Sequence, residues 1–355
     1  MHTTHKNSYI YIPILILLLT SFLSLSLTGC TLSKASNTDY LEKQNYVLGT
    51  IVSIKLYDHQ SDEILNNAFN KLRELEMTLS INKDNTLIDA INKNAGLSSI
   101  KVDSATFNLI EKSLYYSELT SGAFDITIGP IVKLWNIGFP SARVPSQEEI
   151  NEKLPLVNHD YVILNSDAQT VYLEHKGMQL DLGGIGKGYA ADAIAVLLRN
   201  SGVEHAIINI GGNIYALGDK PNNEPWNISV QNPFDTRGTI IGTLQLTNKS
   251  IVTSGIYERY LTDENGRTYH HLLDPKTGYP FKNELASVTI ISDSSTDGDA
   301  LSTSTFALGV EAGIDFIENL EGIDAIFITT DKKIYLTSGI KNNFVLSNTS
   351  FETLN

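Results

Sequence analysis

The sequence has little cysteine and little positive charge. Cys30 is the only cysteine among 355 residues, so the chain can form no internal disulfide. Lysine and arginine number 26 against 40 aspartate and glutamate residues, a formal net charge of −14. Nucleic-acid backbones bind to clustered Lys and Arg, so this balance argues against nucleic acid as a partner. A pyrophosphate ligand would need a metal ion or backbone amides to offset its charge.

Internal repeats, heptad runs and low-complexity blocks are also absent from the sequence. The apolar fraction of 42% and the charged fraction of 19% are ordinary for a globular protein, which argues against disorder. The length allows one large domain or two lobes that share a core.

The N-terminus carries an export signal. Lys6 precedes a nearly uninterrupted apolar run at residues 9–27, which ends in Leu27-Thr28-Gly29-Cys30. A run of about 20 apolar residues can span a bilayer, so an uncleaved anchor is one reading. The basic lead and the small residues before Cys30 instead favour a signal peptide. The ending resembles a bacterial lipobox, in which Cys30 would be acylated and become the mature N-terminus.

This reading divides the chain into three parts. Residues 1–29 are a lipoprotein signal peptide, residues 30–45 are a lipidated N-terminus and polar tether, and residues 46–355 are the folded domain. The expected location is the extracytoplasmic face of the cell membrane, held by the lipid on Cys30.

Periodicity in the folded part predicts mixed secondary structure. Alternation predicts a first strand at 49–57, and Ser61 is the expected cap of a following helix, with a second helix at 104–119. Further elements are expected along the rest of the chain: strands at 171–174, 179–182, 206–210, 227–231, 239–246, 286–291 and 325–329, and helices at 189–199, 300–308 and 311–320. Without a regular strand–helix–strand rhythm, this order favours a mixed α+β or α/β domain over a doubly wound parallel sheet.

Residues 183–188 place four glycines in six positions between a predicted strand and a helix. Glycines allow a ligand close to the backbone, and a helix start offers free N–H groups to an anion. The segment is not a Walker loop, because Gly188 follows Lys187 where that loop has Ser or Thr. It is not the dinucleotide-binding motif G-x-G-x-x-G either, because Tyr189 occupies the position of the last glycine. A tight structural turn and a phosphate site are both compatible with this segment.

Asp299 and Thr303 are four residues apart near the start of a predicted helix. Their side chains therefore lie on one face, where a carboxylate and a hydroxyl suit Mg²⁺. The alternative is that Asp297 or Asp299 caps the helix.

His270 and His271 leave a predicted strand just before the turn that begins at Asp274-Pro275. Successive strand residues point to opposite faces, so only one of the two can face a given pocket. The two histidines lack the spacing of a helical zinc motif such as H-E-x-x-H, which argues against a paired metal site. A structural role and a catalytic role both remain open for these histidines.

Trp135 follows the turn at 121–130. Its ring could pack in the core or stack on a planar ligand.

Taken together, these segments resemble the ApbE family of FAD:protein FMN transferases over residues 46–340. The resemblance is carried by ordered motifs: Leu48-Gly49-Thr50, residues 121–138, Asp181 to Gly188, Gly211-Gly212-Asn213, Thr253-Ser254-Gly255, residues 271–280 and residues 298–303. It implies one α/β domain of two lobes, with FAD in the cleft between them.

The resemblance also implies site residues. The backbone carbonyl of Gly184 and the side chains of Asp299 and Thr303 would hold Mg²⁺, with Ser302 alongside. His271 matches the position of the catalytic base. Contacts to FAD are expected from Leu48, Asn82, Ala123, Phe124, Asp125, Asp181, Lys187 and Leu273.

The implied reaction transfers FMN from FAD to a Ser or Thr hydroxyl of an acceptor protein and releases AMP. The acceptor would belong to a membrane or extracellular electron-transfer system. Leu48 replaces a common Met, and Asn82 stands where many members have an aromatic residue. The second change leaves the balance between transfer and FAD hydrolysis open. The alternatives are an FAD pyrophosphatase and a non-catalytic solute-binding lipoprotein.

Overall fold

The structure is a computed structural model and describes residues 40–354. The apolar run at 9–27, Cys30 and the tether up to residue 39 lie outside this part of the chain. Residues 40–354 contain eight α-helices: α1 Asp62–Leu79, α2 Leu87–Lys93, α3 Ser104–Leu119, α4 Gly129–Trp135, α5 Gln147–Lys153, α6 Gly186–Asn200, α7 Ser295–Leu308 and α8 Val310–Glu318. None of the helices in the described residues is long and apolar enough to cross a membrane.

Strands outnumber helices in the described residues. They are β1 Leu41–Val47, β2 Thr50–Leu56, β3 Ile100–Lys101, β4 Val162–Asn165, β5 Thr170–Leu173, β6 Ala206–Ile210, β7 Asn213–Leu217, β8 Trp226–Gln231, β9 Ile240–Leu246, β10 Lys249–Gly255, β11 Tyr260–Thr262, β12 Thr268–His270, β13 Leu285–Ser292, β14 Asp324–Thr329, β15 Lys333–Leu336, β16 Val345–Leu346 and β17 Glu352–Leu354.

The main sheet has the order β1-β2-β6-β7-β10-β13-β14-β15-β17. Its pairs are antiparallel except β15 with β17, which run parallel. Smaller sheets have the orders β16-β9-β8 and β3-β5-β4, and β11 pairs with β12. The predicted class, a single domain of mixed helices and sheets, is confirmed.

Both faces of the main sheet are covered. Along β14, Ala325 and Phe327 belong to the apolar cluster that contains α1, α6 and α7, whereas Ile326 and Ile328 belong to the cluster with β8 and β9. Alternate strand residues point to opposite faces, so burial on both faces makes β13 and β14 almost continuously apolar. Helix α7 therefore lies against the centre of the sheet.

Local signals set the helix starts that the sequence predicts at Ser61 and residue 104. The Ser61 side chain accepts a hydrogen bond from the N–H of Ile64, and Asp103 Oδ1 accepts one from Thr106 at 2.9 Å. These N-caps satisfy amides that have no partner within the first turn. Both helix starts are confirmed.

Three predictions about the elements and their limits are wrong. Residues 41–47 form β1, which pairs with β2, so the folded part begins by Tyr40 and the tether does not extend to residue 45. Segment 179–182 is not a strand, because Gln179 makes only an isolated bridge to Ile128. Helix α7 begins at Ser295 with Ser294 as its cap, so neither Asp297 nor Asp299 caps it.

A third apolar cluster holds the segment after His271 in place. Trp135 is fully buried there with Ile131 and Leu273, and its Nε1 donates to the carbonyl of Gly278 at 2.7 Å. Trp135 is therefore a core residue that anchors the turn at 274–278 to α4.

Candidate active site

Helices α6 and α7 touch at Gly188. A Cβ atom at this position would lie 2.1 Å from the carbonyl oxygen of Ser295 and 2.8 Å from Cβ of Asp299. Only glycine permits this approach, which brings the start of α6 against the second turn of α7. The glycine-rich segment and the Asp299 segment therefore form one site.

Asp299 is buried, with 2% of its surface exposed. Its Oδ2 accepts a hydrogen bond of 2.9 Å from the N–H of Gly188, and its Oδ1 lies 3.0 Å from Nζ of Lys187. A buried carboxylate needs such charged and amide partners. The ion pair with Asp299 therefore holds Lys187 at the site.

Three hydroxyl groups lie next to the turn of α7 that carries Asp299. Ser302 Oγ donates to the carbonyl of Asp299 at 2.9 Å and lies 2.8 Å from Ser254 Oγ. Ser254 Oγ is also 3.5 Å from Oγ1 of Thr303. Thr303 Oγ1 in turn lies 3.7 Å from the position of a Cβ on Gly184. The structure thus brings together the four residues expected to bind metal and adds Ser254 on β10.

Phe124 packs on the glycine-rich turn. Its Cε2 atom lies 3.0 Å from the position of a Cβ on Gly184, so the ring leaves no room for a side chain there. The preceding residue, Ala123, lines a cavity of about 640 Å³ together with Ala307. Ala307 lies one helical turn beyond Thr303 on α7, and the cavity is also lined by residues of the turn that begins at Asp274.

Asp125 is occupied by protein partners. Its Oδ1 accepts from the N–H and Oγ1 of Thr127 at 2.8 and 2.6 Å, and its Oδ2 accepts from the N–H and Nδ1 of His159 at 3.0 and 2.9 Å. The hydrogen bond to Asp125 raises the pKa of His159. A carboxylate has about four acceptor sites, so a ligand contact at residue 125 would use its backbone.

Three positively charged side chains act on the carboxyl group of Asp181. Its Oδ1 accepts from the N–H of Gly183 at 2.8 Å. Desolvation raises the pKa of its carboxyl, against the lowering effects of that hydrogen bond and of Lys133, Arg259 and Lys187. The acidic chain therefore concentrates cationic side chains at this point.

Leu48 lies at the tip of the β1–β2 hairpin in the left-handed region, with φ 56°, and Gly49 follows with φ 70°. Positive φ at both positions is the geometry of a type I′ turn, which is unusual for leucine. The N–H of Leu48 donates to Oε1 of Glu76 at 2.9 Å, which holds the tip against α1. The backbone of Leu48 is therefore fixed.

Asn82 is exposed, and its Oδ1 accepts from Nζ of Lys133 at 2.7 Å. Leu273 is buried in the cluster around Trp135, so its side chain serves the core. A ligand contact at Leu273 would again use the backbone.

The two histidines have different surroundings. The carbonyl of Arg259 lies 3.1 Å from the N of His271 and 3.2 Å from its Nδ1. Because a carbonyl only accepts, Nδ1 carries the proton and Nε2 is left with the lone pair. Nε2 of His270 instead donates to the carbonyl of Phe281 at 3.0 Å. Nδ1 of His270 also keeps a lone pair without a hydrogen-bond partner among residues 40–354, but that atom is buried, whereas Nε2 of His271 is the basic nitrogen left at the site.

Burial lowers the pKa of His271 to about 3, and the positive charges of Arg259 and Lys187 lower it further, against the raising effect of the hydrogen bond to the Arg259 carbonyl. The imidazole is therefore neutral at neutral pH. A neutral imidazole with a free Nε2 can accept a proton.

Comparison with known proteins identifies the family of this chain. The model of the ApbE family matches residues 48–327. The chain belongs to the ApbE family. It is 40% identical over 292 residues to the FAD:protein FMN transferase of Klebsiella pneumoniae, covering 82% of this chain and 90% of that protein. It is 37% identical to the FAD:protein FMN transferase of Treponema pallidum, covering 83% and 86%.

Solved ApbE structures have the same fold. The ApbE protein of Thermotoga maritima superposes with a TM-score of 0.78 at 31% identity, over 86% of this chain and 99% of that one. The flavin transferase ApbE of Vibrio cholerae gives 0.76 at 27% identity over the same shares.

Sequence reasoning about this ApbE chain missed three residues at the site. Ser254 lies inside the Thr253-Ser254-Gly255 motif and was assigned no role. Lys133 lies inside the motif at residues 121–138 and Arg259 lies outside all of the motifs, and only their charges mark them. Their place at the site depends on contacts between distant segments.

Proposed function

We propose that this protein transfers FMN from FAD to a Ser or Thr hydroxyl of an acceptor protein and releases AMP. The observation that carries the proposal is the pairing of buried Asp299 with Gly188 and with Lys187, whose charge also acts on the neutral His271. The relatives in Klebsiella and Treponema are named for this activity.

The oxygen atoms at the site fit Mg²⁺. Asp299 contributes a carboxylate, Thr303 a hydroxyl and Gly184 a backbone carbonyl, with Ser302 alongside, and Mg²⁺ prefers oxygen ligands and retains several waters. Residues 40–354 contain no group of three His, Cys, Asp or Glu side chains that would hold a metal by themselves. When bound, Mg²⁺ supplies positive charge that neutralises the pyrophosphate of the substrate.

The residues of the chain account for the remaining chemistry. Nε2 of His271 takes the proton of the acceptor hydroxyl, whose oxygen forms a bond to the FMN-side phosphorus. The bond from that phosphorus to the bridging oxygen breaks, and the electron pair leaves with AMP. Lys187 places a further positive charge beside the pyrophosphate.

The deciding experiment incubates the purified full-length protein with FAD, Mg²⁺ and a candidate acceptor, followed by mass spectrometry of the acceptor. We expect the acceptor to gain the mass of FMN and AMP to appear in equal amount. Free FMN with AMP instead identifies an FAD pyrophosphatase. Bound FAD without AMP identifies a solute-binding protein. Either result contradicts the proposal.

We also propose that the chain is anchored through a lipid on Cys30 at the extracytoplasmic face of the cell membrane. The support is the Leu27-Thr28-Gly29-Cys30 sequence directly after the apolar run. An acceptor in a membrane or extracellular electron-transfer system would then be within reach. Labelling cells with a clickable fatty acid tests the anchor, and equal labelling of wild type and Cys30→Ser would contradict it.

A further inference from the structure

Arg259 connects three parts of the candidate site. Its carbonyl accepts hydrogen bonds from the N and Nδ1 of His271, and its Nη2 donates to the carbonyl of Gly49 at 3.3 Å. Its Cδ lies 3.2 Å from the position of a Cβ on Gly138. The side chain therefore extends from His271 to the tip of the β1–β2 hairpin, beside Leu48.

The charge of Arg259 has no acidic partner. Among residues 40–354 it makes no ion pair, although the adjacent Glu258 pairs with Arg237 at 3.7 Å. Arg259 is exposed, and its charge is near enough to lower the pKa values of both His271 and Asp181. A guanidinium in this position can donate two parallel N–H groups to a phosphate.

We propose that Arg259 binds the FMN-side phosphate of FAD through its guanidinium and positions His271 through its backbone carbonyl. The proposal rests on the proposed transfer function. Because His271 takes the proton from the attacking hydroxyl, the phosphate next to this histidine is the one attacked. Lys187 pairs with Asp299 beside the glycine-rich turn, whereas Arg259 bonds to Gly49 in the hairpin. The two cationic residues therefore serve different parts of the pyrophosphate.

This arrangement assigns each part of Arg259 a separate role. The carbonyl keeps the proton on Nδ1, so the lone pair on Nε2 is available to the acceptor hydroxyl. The guanidinium offsets the charge that accumulates on the attacked phosphate as the new O–P bond forms and the bond to AMP breaks. A substitution of the side chain removes the second role and leaves the first.

The test measures binding rather than turnover, so it stays informative if the transfer activity fails. Full-length Arg259→Met, Arg259→Lys and the control Arg237→Met are titrated with FMN, riboflavin and AMP by flavin fluorescence or calorimetry. Hydrogen bonds to charged groups contribute enough that Arg259→Met should weaken FMN binding about 10- to 100-fold. Riboflavin and AMP lack this phosphate, and their affinities should change less than about 3-fold. The FMN affinity of Arg259→Lys should lie between those of wild type and Arg259→Met, because lysine keeps the positive charge but lacks the two parallel N–H donors of arginine.

Nitrogen NMR of His271 provides the second readout. The Nδ1–H tautomer should persist in Arg259→Met, since the backbone carbonyl remains. His271 also faces Lys187 and His270, so its titration should move toward the ordinary histidine range without reaching it. The proposal is overturned if riboflavin affinity falls as much as FMN affinity, if AMP affinity falls instead, or if Arg237→Met behaves like Arg259→Met.

Discussion

Nζ of Lys187 lies 3.0 Å from Oδ1 of Asp299, although the two residues are 112 positions apart in the sequence. The contact joins the first turn of α6 to α7 and sets the distance between the glycine-rich turn and the hydroxyls of Ser302 and Thr303. Substitutions at Asp299 and at the crossing of the two helices therefore test the site most directly.

Asp299→Asn should abolish Mg²⁺-dependent AMP release while the protein stays folded. Asparagine keeps an acceptor for the N–H of Gly188 and removes the charge. Loss of a metal ligand should lower activity more than about 100-fold, beyond the usual effect of outer-shell residues. A Mg²⁺ titration measures it, with the exposed Asp315→Asn as control. Near-normal activity of Asp299→Asn at limiting Mg²⁺ would contradict the metal site.

Gly188→Ala should separate α6 from α7. The new methyl would lie 2.1 Å from a backbone oxygen that cannot rotate away. Overpacking of this kind costs about 1–3 kcal/mol, and AMP release should fall with it. Gly186→Ala is the matched control, because no atom beyond its chain neighbours and the backbone of its own helix lies within 4 Å of its Cβ position. Thermal unfolding checks both variants, and equal melting temperatures would refute the steric argument.

His271→Ala should lose about 10²–10⁴-fold in transfer rate, the usual range for a general base, while it still binds FAD. The rate is followed by the mass of the acceptor and FAD binding by flavin fluorescence. His270→Ala is the comparison, since its Nε2 bonds to the carbonyl of Phe281. An unchanged rate in His271→Ala would remove this histidine from the mechanism.

His271 should also make the fold sensitive to acid. Its pKa is about 3 in the folded protein, against an ordinary value of 6.5. Between these values the unfolded chain binds more protons, so this group destabilises the fold as pH falls from about 6.5 toward 3. His271→Asn should therefore lose less stability than wild type between pH 7 and pH 4 in urea unfolding. Parallel losses in the two proteins would show that another group is responsible.

Asn82→Tyr should reduce acceptor-independent hydrolysis of FAD. An aromatic ring at this position can stack on the nucleotide, and base stacking contributes about 1–3 kcal/mol. Asn82 is exposed and bonded to Lys133, so it provides no such cover. Chromatography of FMN and AMP after incubation with Mg²⁺ gives the comparison. Equal AMP from the two proteins would mean that residue 82 does not control access of water.

Local features could be predicted from the sequence because neighbouring residues determine them. Ser61 caps α1 and residues 104–119 form α3 because capping and apolar spacing act within a few residues. The ordered motifs also predicted the family. By contrast, β1 was missed because its sequence is mostly polar, and its conformation depends on pairing with β2.

The geometry of the site required the tertiary structure. Residues 187 and 299 meet only because α6 and α7 pack on the same face of the main sheet, where Gly188 permits close approach. The side chain of Asp125 proved to be engaged by His159, and the carbonyl of Arg259 decides the tautomer of His271. Each of these contacts joins segments that are distant in the sequence. Motifs and periodicity report which residues are present, whereas packing alone decides which of their atoms remain free for a ligand.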